Sequence, residues 1–267
     1  MRPAPLSGRV ALVTGGSRGI GRGIALRLAA DGADCVITYR KQAQLAEEVV
    51  QAIERGGRRA LALPLDLADP TGVPATMERV AERFGRLDIL VANAAATAFR
   101  PMEEQKPHNI DRTFAISVGS FIAAVQAAVP LMRSPGRIVG ISGIDSHQAM
   151  LRHGVLGAAK AAMESLVRTF ALELGPRGIT VNAVSPGIIV TDSSQMYMER
   201  GLEREWTPGA ATVIEMTPVR RLGTAEDVGG LVAYLVSDAA GFLTGQTILI
   251  DGGLTMVSPM NRLKEGA

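Results

Sequence analysis

The chain has 267 residues, 47% of them hydrophobic, and its 28 basic residues nearly balance 26 acidic ones. A chain of this length and apolar content can bury a large core, which excludes a disordered or fibrous protein. The net charge of +2 is not that of a nucleic-acid or membrane-surface binder, so we predict neither nucleic acid nor membrane as a partner.

The N-terminal segment and the single cysteine bear on where the protein works. The segment "MRPAPLSGR" lacks the apolar run of about 7 to 15 residues that a signal peptide has, and no apolar run approaches the roughly 20 residues of a membrane span. Cys35 has no partner for an internal disulfide, and its neighbours in "ADCVITY" favour a buried strand position. We therefore predict a soluble protein of the reducing cytoplasm.

Short apolar runs alternate along the chain with longer segments of helical period. In chain order these are "RVALVTG" and a helix over 19–31, "DCVITY" and 42–57, "RALALPLDL" and 71–85, "LDILVANAA" and 103–133, and "RIVGISG" and 154–175. Then come "ITVNAVSPG", a variable segment, a helix near 225–237 and "GQTILIDGG". The alternation predicts an α/β fold, a Rossmann-type doubly wound parallel sheet with helices on both faces. No linker divides the chain, so we predict one domain over 1–267.

Residues 192–224 are the least regular part of the sequence, with methionines, the only tryptophan and several turn residues. Two interpretations are open: a surface excursion that packs on the domain, or a mobile lid over a substrate pocket. Tyr197 lies in this segment, where it either packs beside Met196 and Met198 or supplies a phenol to the pocket.

The glycine-rich turn "TGGSRGIG" joins the first strand to the first helix. Glycines let the backbone turn sharply and approach a pyrophosphate, which then binds at the positive end of the following helix. Because a strand precedes the turn and a helix follows it, the motif predicts a dinucleotide-binding domain. The candidate cofactor-binding residues of the turn are Gly15, Ser17, Arg18, Gly19, Ile20 and Gly21.

Charges after the second strand predict which dinucleotide binds. Many NAD-binding chains have an acidic residue there for the ribose 2′-hydroxyl, whereas this chain has Arg40 and Lys41. Together with Arg18 these cations favour a 2′-phosphate, so we predict NADP(H); the alternative is that Arg40 and Lys41 are a solvated strand end.

Two later strands extend the predicted cofactor groove. Asp66 and Leu67 follow the third strand, where they could border an adenine. Asn93 and Ala94 follow the fourth strand, where small residues permit close approach. We predict no metal site.

Taken in order, "TGGSRGIG", "DL", "NAAA", "NAVSPG" and "TGQTILIDGG" resemble the motifs of the short-chain dehydrogenase/reductases from about residue 8 to residue 254. The segments "NAAATAFRPMEE" and "LGAAKAAMESLVRTFALELGPRGITVNAV" are most similar to the enoyl-thioester reductase branch. That branch includes the acyl-carrier-protein reductase III type and the 1-cyclohexenylcarbonyl-CoA reductases. The resemblance implies Pro186 and Gly187, from "NAVSPG", at the cofactor site, and a tetramer or dimer.

The active site that the resemblance implies is only partly present. The family has a tyrosine four residues before its lysine, a serine thirteen before that tyrosine, and an asparagine on the helix after the fourth strand. Here these positions hold Leu156, Gly143 and Ser117, so that Lys160 alone matches. The enoyl-reductase branch places its tyrosine seven residues before the lysine, where this chain has His153. Seven residues along a helix return almost to the same face, so the imidazole can point to the side where Lys160 points.

These features predict an NADPH-dependent reductase of a conjugated enoyl thioester or related polyketide-like substrate. His153 could stabilise the enolate oxygen, as a neutral hydrogen-bond donor or as a charged acid. Lys160 would, by resemblance, hold the nicotinamide ribose. His147, Tyr197, water and the substrate itself remain alternative proton donors, and His153 could instead be a solvated residue at a helix start.

Other functions stay open. A Ser-His-Asp nucleophile within "SGIDSHQ", from Ser142, Asp145, Ser146 and His147, is disfavoured because neighbouring residues rarely reach one another in the required orientation. A ketoreductase or a non-redox tailoring enzyme could use the substrate's own hydroxyl in place of the tyrosine. A catalytically silent NADP(H)-binding subunit is the third possibility.

The helices over 103–133 and 154–175 are rich in Ala, Val and Leu around much of their circumference. One sheet face could not cover so much apolar surface, which also indicates a homo-oligomer.

Overall fold

The strands lie in one seven-stranded sheet in the order β3-β2-β1-β4-β5-β6-β7, in a computed structural model that describes residues 4–69, 71–96 and 98–258. All six neighbouring pairs are parallel. The strands are β1 Val10–Val13, β2 Asp34–Tyr39, β3 Ala60–Pro64, β4 Leu87–Ala92, β5 Met132–Ile141, β6 Ile179–Pro186 and β7 Thr247–Ile250. This sheet confirms the predicted doubly wound α/β fold. Its order reverses between β1 and β4, which is where such sheets bind ligands.

Helices cover both faces of the sheet. They are α1 Gly19–Ala30, α2 Ala43–Arg55, α3 Gly72–Phe84, α4 Pro107–Phe114, α5 Ser120–Ala128, α6 Gly154–Leu174, α7 Asp192–Met196, α8 Trp206–Met216 and α9 Ala225–Val236. Alternate residues of β1 point to opposite faces because a strand has a period of two. Ala11 and Val13 pack with α1, α2 and α9, whereas Val10 and Leu12 pack with α3, α5 and α6.

Cys35 has the position that its apolar neighbours predicted. It lies in β2, fully buried. Burial raises the pKa of its thiol to about 12, so the side chain is an inert part of the core rather than a nucleophile.

The helix predicted over 103–133 is divided in the structure. A short 3₁₀ turn, Met102–Glu104, precedes it, and α4 begins at Pro107, whose missing N–H is tolerated at the first helical position. A π-helical turn over Ala115–Gly119 joins α4 to α5, and a 3₁₀ turn over Val129–Leu131 ends the run. β5 already begins at Met132, so the sequence pattern placed the end of the helix too late.

The helical run Pro107–Leu131 has 25 residues, and its most apolar stretch of 18 residues has a mean hydropathy of 1.8, so that by length and composition alone it is long and apolar enough to cross a membrane. Charged and polar residues such as Asp111 and Arg112 interrupt it, which is why no unbroken apolar run marks it in the sequence. In this fold one side of the run, including Phe121 and Val125, packs in the core beneath the sheet, as expected for a core helix of an α/β domain.

Residues 192–224 are more regular than their composition suggests. They contain α7, a π-helical turn over Tyr197–Gly201, and α8. Thr191 and Ser194 cap the start of α7 reciprocally, as in a capping box. Proline and glycine suggested a loop in the sequence of this segment. In the structure, Pro208 lies in the first turn of α8, where a proline is tolerated, and Gly209 packs against Met198.

Candidate active site and cofactor cleft

The glycine turn after β1 has a backbone that side chains would obstruct. Gly15 and Gly19 have φ angles of +65° and +55°, a left-handed conformation that glycine adopts without strain. A Cβ on Gly21 would lie 2.3 Å from the carbonyl oxygen of Gly15 and 2.5 Å from Asn93 Nδ2. The amide of Asn93 donates to the carbonyls of Thr14 and Gly15, at 2.9 and 3.2 Å. The end of β4 therefore holds the turn in place.

A cleft of about 620 Å³ runs from this turn along the carboxyl ends of the strands. Every residue that the sequence predicted to bind the cofactor lines it. They are Gly15, Ser17, Arg18, Gly19, Ile20, Gly21, Arg40, Lys41, Asp66, Leu67, Asn93, Ala94, Lys160, Pro186 and Gly187. The residues come from five strand ends and two helices, α1 and α6, which is why only the folded chain brings them together.

The basic end of the cleft is open to solvent. Arg40 and Lys41 are exposed at the end of β2, and Arg18 is exposed in the glycine turn. The guanidinium of Arg18 donates to Asp192 at 3.0 Å. Through this ion pair the glycine turn contacts the first residue of α7.

Lys160 is the buried cation of the cleft, with 5% of its surface exposed. It lies on α6, and its Nζ donates to the carbonyl of Ile141 at the end of β5. Burial lowers the pKa of this ammonium to about 8, while the charges of Asp145 and Glu164 act in the opposite direction. Ser142 next to Ile141 donates its hydroxyl to Glu164. A lysine with this pKa is mainly cationic at neutral pH.

His153 is the residue directly before α6, and it also lines the cleft. Its Nδ1 lies 2.8 Å from Oδ2 of Asp145, which belongs to the 3₁₀ turn after β5. Only 14% of the imidazole and 7% of the carboxylate are exposed. The imidazole stacks flat on Phe99, with centroids 5.4 Å apart and planes 5° apart, and lies 4.5 Å from the ring of Tyr197. His153 is thus held by three elements and is not a solvated helix-start residue.

Tyr197 closes the same cluster from the π-helical turn of residues 192–224. It is 8% exposed, and its hydroxyl donates to the carbonyl of Leu151 at 3.1 Å. Burial, with a further contribution from Asp145, raises the pKa of the phenol. The phenol is therefore neutral, and its proton is engaged by the backbone.

Two of the three substituted catalytic positions border the cleft. Leu156 and Gly143 line it, and Ser117 is buried without a hydrogen-bond partner for its hydroxyl among the described residues. A Cβ on Gly157 would lie 2.3 Å from the carbonyl oxygen of Asp145. This contact lets the turn after β5 pack directly on α6.

His147 lies elsewhere. Its ring is exposed, its Nδ1 contacts the hydroxyl of Ser146 at 3.0 Å, and it is not among the residues that line the cleft. Asp145 pairs with His153 and Ser142 with Glu164. The residues of "SGIDSHQ" therefore do not form a nucleophilic triad.

Sequence reasoning missed three residues of the site: Phe99, Asp145 in its role beside His153, and Glu164. Asp145 was visible only as a member of the triad hypothesis. Its pairing with a histidine eight residues later depends on the path of the intervening loop, which no periodicity predicts.

The fold and the cleft together define a dinucleotide-binding α/β protein with a buried lysine beside the cofactor groove. A family model described as Enoyl-(Acyl carrier protein) reductase matches residues 15–255. The chain belongs to this family, the enoyl-reductase branch of the short-chain dehydrogenase/reductases.

Two relatives are similar to this chain over most of their length. The chain is 42% identical over 251 residues to the 1-cyclohexenylcarbonyl-CoA reductase of Streptomyces collinus, covering 94% of this chain and 88% of the relative. It is 36% identical over 258 residues to the versicolorin reductase of Emericella nidulans, covering 93% of this chain and 96% of the relative.

Solved structures agree with this assignment. A short chain dehydrogenase from Burkholderia cenocepacia in complex with NADP is 40% identical, with a TM-score of 0.86 over 94% of this chain and 99% of that one. A blue fluorescent protein from a metagenomic library, in complex with NADPH, is 36% identical with the same TM-score of 0.86 and the same two shares, 94% and 99%.

Proposed function

We propose that this protein is an NADPH-dependent reductase of a conjugated enoyl thioester or a related polyketide-like substrate, with an atypical active site. The observation that carries the proposal is the position of His153, which lines the same cleft as Lys160 and the glycine turn. In this arrangement the imidazole takes the place of the family's tyrosine.

The residues of the cleft fit a dinucleotide. A Cβ at Gly21 would collide with the carbonyl of Gly15 and the amide of Asn93, so glycine preserves the turn at the start of α1, where backbone N–H groups favour a pyrophosphate. Arg40 and Lys41 would hold a 2′-phosphate, and Lys160 a ribose hydroxyl. NADPH, when bound, supplies the hydride. Relatives solved with NADP and NADPH support this choice of cofactor.

The substrate end of the cleft suits a carbonyl that gains negative charge. Reduction of a conjugated C=C bond places hydride on the β-carbon and charge on the thioester oxygen, where a donor stabilises the enolate. His153 is the donor in this proposal, and the cation of Lys160 adds positive potential. Leu156 and Phe99 line the same region with apolar surface, which limits the access of water and strengthens both interactions.

Residues 192–224 form the proposed lid over this end. Tyr197 joins it to Leu151, and Glu203 forms an ion pair with Arg152. Leu151 and Arg152, which take part in these two contacts, directly precede His153 in the chain. Closing the lid would therefore shield the imidazole from solvent.

We also propose that the enzyme is a cytoplasmic homo-oligomer, a tetramer or dimer. A groove between α3 and α5 supports this, because its walls are mainly apolar and face outward. The apolar residues of the groove are Pro74, Met77, Ala81, Ala123, Ala127, Pro130 and Leu131.

The test is stopped-flow NADPH oxidation with 1-cyclohexenylcarbonyl-CoA, other 2-enoyl-CoA thioesters and 3-ketoacyl thioesters, with mass spectrometry of the products. We expect saturation of the C=C bond of an enoyl thioester. His153→Phe keeps a stacked ring but removes the donor, so kcat should fall by roughly 10²- to 10⁴-fold.

His147→Gln is the matched variant, because His147 is exposed outside the cleft. If activity is lost in His147→Gln but not in His153→Phe, the donor is His147 and not His153. Reduction of ketoacyl thioesters alone would favour the ketoreductase. Tight NADPH binding without any reduction would favour the silent subunit.

A further inference from the structure

We infer that Asp145 is the positioning residue of the site: it accepts the hydrogen bond from Nδ1–H of His153, so that Nε2 accepts a proton when the imidazole is neutral and donates only as imidazolium. This inference rests on the proposed function and narrows it. A neutral hydrogen-bond donor and a charged acid were both open for His153, and the geometry points to the charged acid.

The hydrogen bond itself sets the direction. An ionised carboxylate has no proton to give, so at 2.8 Å from Asp145 Oδ2 the Nδ1 of His153 must be the donor. A neutral imidazole has one N–H, which this bond uses. Among the described residues none is bonded to Nε2, which leaves that nitrogen for a substrate.

Aromatic packing keeps the imidazole in this orientation. Phe99 stacks on it with planes 5° apart, and Tyr197 contacts it at 4.5 Å between centroids. The phenol of Tyr197 donates to Leu151 rather than to the imidazole, so it does not compete for Nε2. The faces of both rings also attract a cation.

The titratable groups around His153 come from several elements. Asp145 contacts it from the turn after β5 and the neutral phenol of Tyr197 contacts it from residues 192–224, while Lys160 lines the same cleft from α6. The ion pair of Arg152 with Glu203 lies beside it in the chain and nearly cancels in charge. Asp145 is the carboxylate in direct contact with His153. Its negative charge offsets the repulsion between the imidazolium and the ammonium of Lys160.

The proton balance of reduction follows. As the β-carbon takes its hydride, the imidazolium transfers the Nε2 proton to the enolate oxygen, leaving a neutral imidazole whose Nδ1–H still donates to Asp145. The α-carbon then takes a proton from a water molecule, whose hydroxide the solvent buffers, while the enol proton returns to Nε2. One hydride and one proton enter the product, and His153 ends as it began.

Imidazole ¹⁵N NMR of the full chain without cofactor tests the inference independently of turnover. The chain has three histidines, and His153→Gln assigns the signal. We expect the Nδ1–H tautomer for neutral His153 in the wild type. In Asp145→Asn the Nε2–H tautomer should grow, because an asparagine amide does not hold the proton on Nδ1 as a carboxylate does.

Asp111→Asn is the charge-matched control, since Asp111 is exposed on α4 and does not line the cleft. It should leave the tautomer of His153 unchanged. An Nε2–H tautomer in the wild type, or an Nδ1–H tautomer that persists in Asp145→Asn as it does in Asp111→Asn, would overturn the inference. The wild-type spectrum decides even if Asp145→Asn fails to fold.

Kinetics separate this inference from the proposed function. In Asp145→Asn we expect kcat to drop on the order of tenfold or more, with KM little changed. A lower kcat with an unchanged tautomer of His153 would reduce Asp145 to a packing role. If no thioester is reduced by the wild type, the proposed function fails while the NMR result still stands or falls alone.

Discussion

The two ends of the cleft are built on different principles. At the nucleotide end, the geometry comes from backbone: Gly15 and Gly19 turn the chain, and Asn93 bonds to carbonyls. At the substrate end, side chains from separate elements meet around His153. A backbone site tolerates few alternatives, whereas a side-chain site can be rebuilt around the same fold. This difference explains how the motifs of the first end persist beside Leu156 and Gly143 at the second.

Lys160 belongs to both ends, so its loss should impair both reduction and NADPH binding. Lys160→Met keeps an apolar stem of similar length and removes the charge. We expect kcat for the reduction to fall roughly 10²- to 10³-fold, because a preorganised electrostatic interaction is lost, and NADPH to bind more weakly. Lys106→Met, exposed at the start of α4, is the matched control. Wild-type turnover in Lys160→Met would show that Lys160 does not act at both ends of the cleft.

The lowered pKa of Lys160, about 8 against an ordinary 10.5, sharpens this comparison through pH. Below pH 8 the folded protein carries the full cost of a buried cation, and that cost declines as pH rises from about 8 to 10.5. The free energy of unfolding of the wild type should therefore rise relative to Lys160→Met, by about 1.4 kcal/mol per pH unit. NADPH affinity should weaken over the same range. Urea unfolding measures the free energy of unfolding, and fluorescence titration measures NADPH affinity. If the free energies of unfolding of the wild type and of Lys160→Met change with pH in parallel, burial does not lower the pKa of Lys160.

Glycine substitutions should separate the two ends. An alanine Cβ would lie 2.3 Å from a carbonyl oxygen at Gly21 and also at Gly157, but meets nothing within 4 Å at Gly175. Overpacking of this kind costs about 1 to 3 kcal/mol. Gly21→Ala should weaken NADPH binding, whereas Gly157→Ala should leave binding intact and lower kcat by displacing Asp145. Gly175→Ala should change stability by less than about 0.5 kcal/mol. If Gly21→Ala and Gly157→Ala change NADPH binding and kcat equally, the two ends of the cleft do not differ in this way.

The smallest effect is expected at the exposed basic end. Arg40→Ala should lower the preference for NADPH over NADH by about tenfold, the effect of about 1.4 kcal/mol that one charge-assisted contact can supply. Arg55→Ala, exposed at the end of α2, controls for the lost charge. The ratio of kcat/KM for the two cofactors measures the preference. An unchanged ratio would make Arg40 a solvated strand end.

The spacing of apolar residues, every second residue in a strand and about every 3.6 residues in a helix, predicted most of the fold because it is a local property of the chain. The buried position of Cys35 and the alternation of strand and helix followed from nearest neighbours alone. Two elements did not: the helix over 103–133, which Pro107 and a π-helical turn divide, and the helices within 192–224, where Pro208 and Gly209 resemble a loop. In both cases tertiary packing outweighed the residue-level preference.

By itself, the sequence determined the doubly wound sheet, the glycine turn and the residues of the cofactor groove, since these depend on patterns of neighbouring residues. Only the tertiary structure decided which side chains meet at the substrate end. Asp145 reaches His153 and not His147 because Gly157 lets the turn after β5 pack on α6. That contact depends on distances between separate elements, which the order of residues along a chain does not contain.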